Sequence, residues 1–128
     1  MRVLVDTHAL LWAALEPAKL SVQARSLLSS LETEVFVSAA SAWEIATKFR
    51  IGKLPGSGAF AADFVARVER LGFHGLPVTL EHGQRAGLLP GAHKDPFDRM
   101  LIAQAQAENV ALISNERTFD AYGIRRIW

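Results

Sequence analysis

The chain has 128 residues, half of them apolar, and a formal net charge of +1. This length and composition predict one domain spanning residues 1–128 with a packed core, and they exclude extensive disorder. Because the net charge is close to zero, binding to RNA or DNA would require local positive charge or a bound metal ion.

The absence of cysteine and of long apolar runs narrows the class of protein further. Without cysteine, disulfides, thiolate metal sites and a cysteine nucleophile are excluded, which fits a reducing cytoplasm. No apolar run approaches the ~20 residues that span a bilayer, and the run at residues 3–5 is too short for a signal peptide. The sequence therefore predicts a cytoplasmic protein without a membrane segment.

Short apolar runs alternate with amphipathic segments along the chain. Strands are predicted at residues 2–5, 35–37, 73–78, 110–113 and 124–128. Helices are predicted at residues 7–15, 21–31, 39–51, 60–71, 79–88 and 96–109. Pro77 places the third strand at a sheet edge, since proline cannot donate to the strand ladder. This alternation predicts a parallel sheet with helices on both faces.

Carboxylates stand where the predicted strands end or a helix begins. Asp6 follows the first strand, Glu44 lies shortly after the second, Glu116 follows the fourth, and Asp95 and Asp98 open the helix at 96–109. The carboxyl ends of parallel strands meet at one rim, so these acids are expected to cluster. Like charges repel in a site of reduced dielectric unless a cation lies among them. Oxygen ligands alone favour Mg²⁺ or Mn²⁺ over zinc or copper.

Each acid also has a purely structural explanation. Ser41 and Glu44 have the spacing of a capping box. Asp95 fits an N-cap, with Asp98 in the first turn facing the helix dipole. Asp6 or its neighbour could cap the first helix. A helix cap, or a turn in the case of Glu116, accounts for each acid singly, whereas their shared rim predicts a metal site that carries out hydrolysis.

Basic residues and a histidine lie near these acids along the chain. Arg99 and Arg117 are expected to contact a phosphate or to balance the carboxylate charge. Lys48 fits either a phosphate contact or the solvated end of its helix. The four histidines show no metal-ligand spacing, and His93 is interpreted as a solvated loop residue more readily than as a substrate contact.

Four segments, taken in order, carry a resemblance. They read Val-Asp-Thr-His at 5–8, Ser-Ala-Trp-Glu-Ile at 41–45, His-Lys-Asp-Pro-Phe-Asp-Arg at 93–99 and Leu-Ile-Ser-Asn-Glu at 112–116. Together they resemble the PIN-domain ribonucleases, and among these the VapC-type toxins of bacterial toxin–antitoxin pairs. The resemblance covers essentially the whole chain.

The resemblance implies a fold and an activity. The implied fold is a three-layer α/β/α sandwich with a central parallel five-stranded sheet. The implied activity is Mg²⁺-dependent cleavage of RNA, with Mn²⁺ as a possible substitute, leaving a 5′-phosphate. The first three acids of the family match Asp6, Glu44 and Asp98, and Asp95 matches the further aspartate of the Asp-Pro-Phe-Asp-Arg subgroup.

The fourth acid of the family departs from the usual pattern. It is commonly the aspartate of a Thr-x-Asp motif, whereas this chain ends the corresponding motif with Glu116. The hypothesis is that Asp6, Glu44 and Asp98 hold one ion. Asp95 and Glu116 would tune that ion or help a second one to bind.

The resemblance also implies partners. A VapB-type antitoxin is expected in a groove between the helices at 7–15, 21–31 and 39–51, and homodimerisation is implied as well. Trp12 and Trp43 are expected to fill the core or this interface. The alternative function is a non-catalytic PIN module that binds RNA or its antitoxin. A signalling receiver domain is disfavoured, because neither adjacent acids after the first strand nor a lysine after the last strand is present.

Overall fold

The computed structural model describes residues 1–91 and 93–128. At its centre lies a five-stranded sheet in the order β3-β2-β1-β4-β5, and every neighbouring pair is parallel. The strands are β1 Arg2–Val5, β2 Glu34–Ser38, β3 His74–Leu76, β4 Ala111–Ile113 and β5 Arg126–Ile127. The predicted parallel sheet is confirmed, as is the edge position of the third strand.

Seven α-helices occur within the described residues. They are α1 Thr7–Leu15, α2 Val22–Ser29, α3 Ala39–Arg50, α4 Gly58–Ala62, α5 Phe64–Arg70, α6 Leu80–Leu88 and α7 Pro96–Glu108, with 3₁₀ turns at Pro17–Lys19 and Arg117–Tyr122. The single helix predicted at 60–71 is wrong. The backbone leaves the helical region at Asp63 (φ −119°, ψ 35°), and the chain restarts as α5.

The sheet carries a hydrophobic layer on each face. Val3 and Val5 of β1 belong to a buried cluster that includes Leu10 of α1, whereas Leu4 points the other way and packs with Leu101 of α7. This alternation follows from the two-residue period of a strand. The result is the expected three-layer α/β/α sandwich. None of the described helices combines the length and the apolar character needed to cross a membrane.

Helix starts gather at the rim formed by the carboxyl ends of β1, β2 and β4. α1 follows β1 after one residue, and α3 follows β2 directly. The capping box predicted for Ser41 and Glu44 is wrong. The N-cap of α3 is Ser38, whose hydroxyl accepts from the Ala40 amide at 3.0 Å. Because β2 runs straight into the helix, Ser41 falls inside the first turn and leaves Glu44 free to reach α1.

Candidate metal centre

Asp6 and Glu44 are the most buried of the five acids at the rim, and each is only 4% exposed. As the N-cap of α1, Asp6 accepts through its Oδ1 from the Ala9 amide at 2.8 Å, which confirms the capping prediction. Burial raises the pKa of Asp6 to about 6, although the Ser114 hydroxyl and the Ala9 amide favour the ionised form. A carboxylate held this far from water needs a positive partner near neutral pH.

Glu44 points from α3 towards the first turn of α1. Its Oε1 accepts from the Thr7 hydroxyl at 2.7 Å, and its Oε2 accepts from Lys48 Nζ one turn further along α3. Ser41 lies 3.0 Å from the same Thr7 hydroxyl, and because that hydroxyl already donates to Glu44, Ser41 donates to Thr7. Both oxygens of this buried carboxylate are therefore held in fixed directions.

Lys48 places a positively charged ammonium group among the acids of the rim. Burial lowers the pKa of Lys48, but the hydrogen bond and charge of Glu44, together with the charges of Asp95 and Asp98, outweigh burial and raise it. Its contact with Glu44 shows that it is not merely a solvated helix end. A local positive charge thus lies beside the acids in a chain whose net charge is close to zero.

Asp95 and Asp98 both belong to the start of α7. Asp95 is the N-cap, and its Oδ1 accepts from the Phe97 amide at 2.9 Å and the Asp98 amide at 3.2 Å, as predicted. Burial raises the pKa of Asp98 to about 7, and the charges of Asp95, Glu116, Glu44 and Asp6 raise it further. The four other predicted acids therefore lie near enough to Asp98 to act on its charge.

One group of three side chains among the described residues could hold a metal ion, and it includes a histidine. One ligand atom each of His93, Asp98 and Glu116 lies within 4.8 Å of the others. The Glu116 amide donates to the Ser114 hydroxyl at 3.0 Å, which turns the chain after β4 towards the rim. The geometry gives Glu116 a place beside Asp98, and its role as a ligand stays a prediction.

The interpretation of His93 as a solvated loop residue is wrong. Its side chain is 16% exposed, and its Nε2 lies 3.2 Å from Asp98 Oδ2. The periodicity of helices and strands gives no direction for a loop side chain, so the pattern could not place it. The only available signal was its position two residues before Asp95.

The prediction that Arg99 contacts phosphate or balances carboxylate charge is also wrong. Its guanidinium donates to the backbone carbonyls of Ala86 at 3.1 Å, Leu89 at 2.6 Å and His93 at 3.0 Å. Carbonyls near the end of α6 and in the following loop lack strand or helix partners, and the planar fork of arginine can satisfy several of them. Arg99 therefore fixes the backbone that carries His93.

Trp12 and Trp43, which were predicted to fill the core or an interface, differ in how deeply they are buried. Trp12 is half-buried and packs against the core beneath α1. Trp43 is 65% exposed and meets Phe97 edge to face, with ring centroids 5.1 Å apart. Core packing is thus confirmed for Trp12. Trp43 does not fill the core, and its alternative place at a partner interface stays a prediction.

The arrangement of acids and the sheet order can be compared with known families. A family model for the PIN domain matches residues 3–124. The chain belongs to the PIN-domain family. This PIN-domain chain is 34% identical over 64 residues to Ribonuclease VapC16 of Mycobacterium tuberculosis (strain ATCC 25618 / H37Rv). The match covers 50% of this chain and 44% of that relative, so it spans less than half the length of VapC16.

Solved structures share the PIN-domain fold over nearly the whole chain. VapBC2 from Rickettsia felis, bound to a DNA fragment from its promoter, has a TM-score of 0.69 and 14% identity, covering 99% of this chain and 98% of that chain. VapC20 of Mycobacterium tuberculosis, a Sarcin-Ricin loop cleaving toxin, has a TM-score of 0.64 and 21% identity, covering 95% of each chain. At these identities the likeness concerns the fold.

Proposed function

We propose that residues 1–128 form one cytoplasmic PIN domain, a metal-dependent endoribonuclease that is the toxin of a VapBC-type toxin–antitoxin pair. The observation that carries this proposal is the convergence of five carboxylates on one rim, where burial and mutual repulsion raise the pKa of Asp98 to about 7. Such repulsion is unfavourable unless a cation offsets it. The names of Ribonuclease VapC16 and the toxin VapC20 support the activity.

The donor set fits Mg²⁺, with Mn²⁺ as a substitute. Asp6, Glu44 and Asp98 are the proposed ligands. Asp95 and Glu116 belong to the same cluster of acids and are proposed to tune the ion or to help a second one bind. Hard divalent cations prefer oxygen ligands of this kind. When bound, such an ion lowers the pKa of a coordinated water and stabilises charge on the scissile phosphodiester.

The protein residues contribute orientation and charge. The hydrogen bonds of Asp6 and Glu44 hold their carboxylates in place before substrate arrives. A carboxylate of the cluster orients the attacking water, and Glu44 and Asp98 are the candidates. Lys48 interacts with the charges of Glu44, Asp95 and Asp98. Its ammonium group is proposed to offset the negative charge of an approaching phosphate.

Cleavage by the purified protein separates the enzyme from a non-catalytic PIN module that only binds RNA. We expect antitoxin-free protein to cut RNA with Mg²⁺ or Mn²⁺ and to stop when EDTA is added. The products should carry 5′-phosphates, which end-specific ligation and sequencing of the fragments would detect. Binding of the same RNA without turnover under either metal would favour the non-catalytic module.

Exposed apolar side chains support a protein partner near α1 and α2. Leu15, Val22 and Leu31 are exposed, and they lie in the region predicted to receive a VapB-type antitoxin. Replacing Val22 with glutamate should weaken antitoxin binding at least about tenfold, since a charge would enter an apolar contact. Calorimetric titration with the co-expressed antitoxin measures the affinity.

The exposed Val65 on α5 offers a matched control for the antitoxin experiment. Val65→Glu introduces the same charge outside the proposed groove and should bind the antitoxin normally. Equal affinities for both variants would place the antitoxin elsewhere. A homodimer is proposed from the family resemblance, and sedimentation velocity of the isolated protein tests it.

A further inference from the structure

Arg126 of β5 is hydrogen-bonded to the chain on both sides of Glu116. Its Nη1 donates to the Ser114 carbonyl at 3.0 Å, just before Glu116 in the chain. Its Nε and Nη2 donate to Asp120 Oδ1 and Oδ2 at 2.8 and 3.1 Å, just after Glu116. The planar fork of arginine can make these bonds together, whereas the ammonium of lysine cannot. One side chain therefore joins the two ends of the segment 114–120.

Ser114 connects this segment to the sheet directly after β4. The residue is fully buried, and its amide donates to the Ile127 carbonyl of β5 at 3.2 Å. Its hydroxyl accepts from the Glu116 amide at 3.0 Å, and its carbonyl accepts from Arg126. A shift of the backbone at Glu116 would break at least one of these bonds, and a buried polar group without a partner is costly.

The other end of the segment lies in the 3₁₀ turn at Arg117–Tyr122. Phe119 is fully buried in the hydrophobic cluster of Leu4 and Leu101, and its amide donates to the Glu116 carbonyl at 3.3 Å. Asp120 is exposed. Exposed ion pairs add little to global stability, so the loss of this pair should change the position of the segment more than the free energy of unfolding.

We infer that Arg126 is a positioning residue, which holds the segment 114–120 so that the Glu116 carboxylate lies beside Asp98. This inference rests on the proposed metal centre, in which Glu116 tunes the ion or helps a second one to bind. Ligand atoms of Glu116 and Asp98 lie within 4.8 Å of each other. Mg²⁺ demands near-ideal octahedral geometry, so an acid on a fixed backbone serves it better than an acid on a mobile one.

Replacing Arg126 with alanine should weaken Mg²⁺ binding about tenfold, the lower end of the loss seen when support for a metal ligand is removed. The direction separates position from charge, since removal of a positive charge near a cation site would by itself favour Mg²⁺. Arg125→Ala removes the same charge from an exposed neighbouring residue and should bind Mg²⁺ at least as tightly as the parent. Calorimetric titration of the metal-free proteins measures the dissociation constants, and circular dichroism checks the fold.

The Glu116→Gln background shows whether Arg126 acts through Glu116. If it does, Arg126→Ala causes no further loss of Mg²⁺ affinity in that background, whereas a general structural role would cause the same loss in both backgrounds. Asp120→Ala changes an exposed side chain and frees one end of the segment. It should give a smaller loss that also disappears with Glu116→Gln, and it decides the question if Arg126→Ala does not fold.

The outcomes against the inference are distinct from failure of the metal centre. Equal Mg²⁺ affinity in folded Arg126→Ala and in the parent would overturn the inference, and so would equal losses in the two backgrounds. Unchanged affinity in Glu116→Gln itself would overturn it as well, because Arg126 would then have no ligand to position. If the unaltered protein binds no Mg²⁺, the proposed metal centre fails and the inference falls with it.

Discussion

Replacing Asp98 with asparagine is expected to reduce RNA cleavage by a factor on the order of 10²–10³, the size found when one electrostatic stabiliser is removed. The change keeps the size of the side chain and removes a charge that the cation would meet. The initial rate of fragment formation at saturating Mg²⁺ measures the effect. Asp6→Asn should behave alike, because the amide oxygen can still cap α1 through the Ala9 amide.

Asp98→Asn should be more stable to unfolding than the parent protein when metal is absent. At pH 7.5 Asp98 is ionised against burial and four neighbouring carboxylates, and removing that charge should add about 2 kcal/mol to the free energy of unfolding. The control is Asp63→Asn, which changes an exposed acid paired with Arg70. Asp63→Asn should leave cleavage unaltered and should not raise stability. Full cleavage by Asp98→Asn would remove Asp98 from the site, whereas lost cleavage with lost stability would indicate a merely structural role.

The stability of the metal-free protein should fall as pH rises from about 4.5 to 8. The pKa of Asp98 is about 7 and that of Asp6 about 6 in the folded protein, against 3.8 ordinarily. The folded state thus binds these protons more tightly than the unfolded chain does. Their stabilising effect is complete below about pH 4 and is lost as pH rises through 6 and 7, on the order of 3 kcal/mol for the coupled pair.

Chemical denaturation across this pH range measures the effect. Asp98→Asn should show a flatter profile, and Mg²⁺ should restore stability to the parent above pH 7, by about 2.7 kcal/mol at a hundred times its dissociation constant. Asp120 acts in the opposite sense, because its hydrogen bond to Arg126 lowers its pKa. Its contribution is lost only as pH falls below the ordinary range of aspartate, outside this window. A metal-free protein whose stability rises steadily from pH 5 to 8 would contradict the assigned pKa values.

Local patterns in the sequence predicted the elements well where one physical cause dominates. The apolar run of β1 predicted a buried strand, since both faces of a central parallel strand are covered. Asp95 followed by Pro96 predicted the start of α7, because both residues suit a helix N-terminus. The helix predicted at 60–71 failed, because hydrophobic periodicity continues through Asp63 although the backbone there leaves the helical region.

The gathering of the five acids was predictable from the sequence, and the contacts of their side chains were less so. The five acids could be placed at one rim because strand order in a parallel sheet determines which chain ends meet. The partners of those acids could not. Ser41 fitted a helix cap in the sequence, whereas in the structure it lies in the first turn of α3 and its hydroxyl is hydrogen-bonded to the Thr7 hydroxyl of α1. Arg99 was expected to contact a phosphate or to balance carboxylate charge, whereas its guanidinium donates to backbone carbonyls.

The sequence by itself therefore determined the parallel α/β architecture and the rim to which Asp6, Glu44, Asp95, Asp98 and Glu116 belong. These follow from periodicity, helix-start chemistry and sheet topology, which are encoded within short segments. Only the tertiary structure decided that His93 faces Asp98, that Lys48 lies among the acids and that their repulsion raises the pKa of Asp98. Directions of loop side chains, burial and the distances between charges arise from packing of segments far apart in the chain, and no local pattern records them.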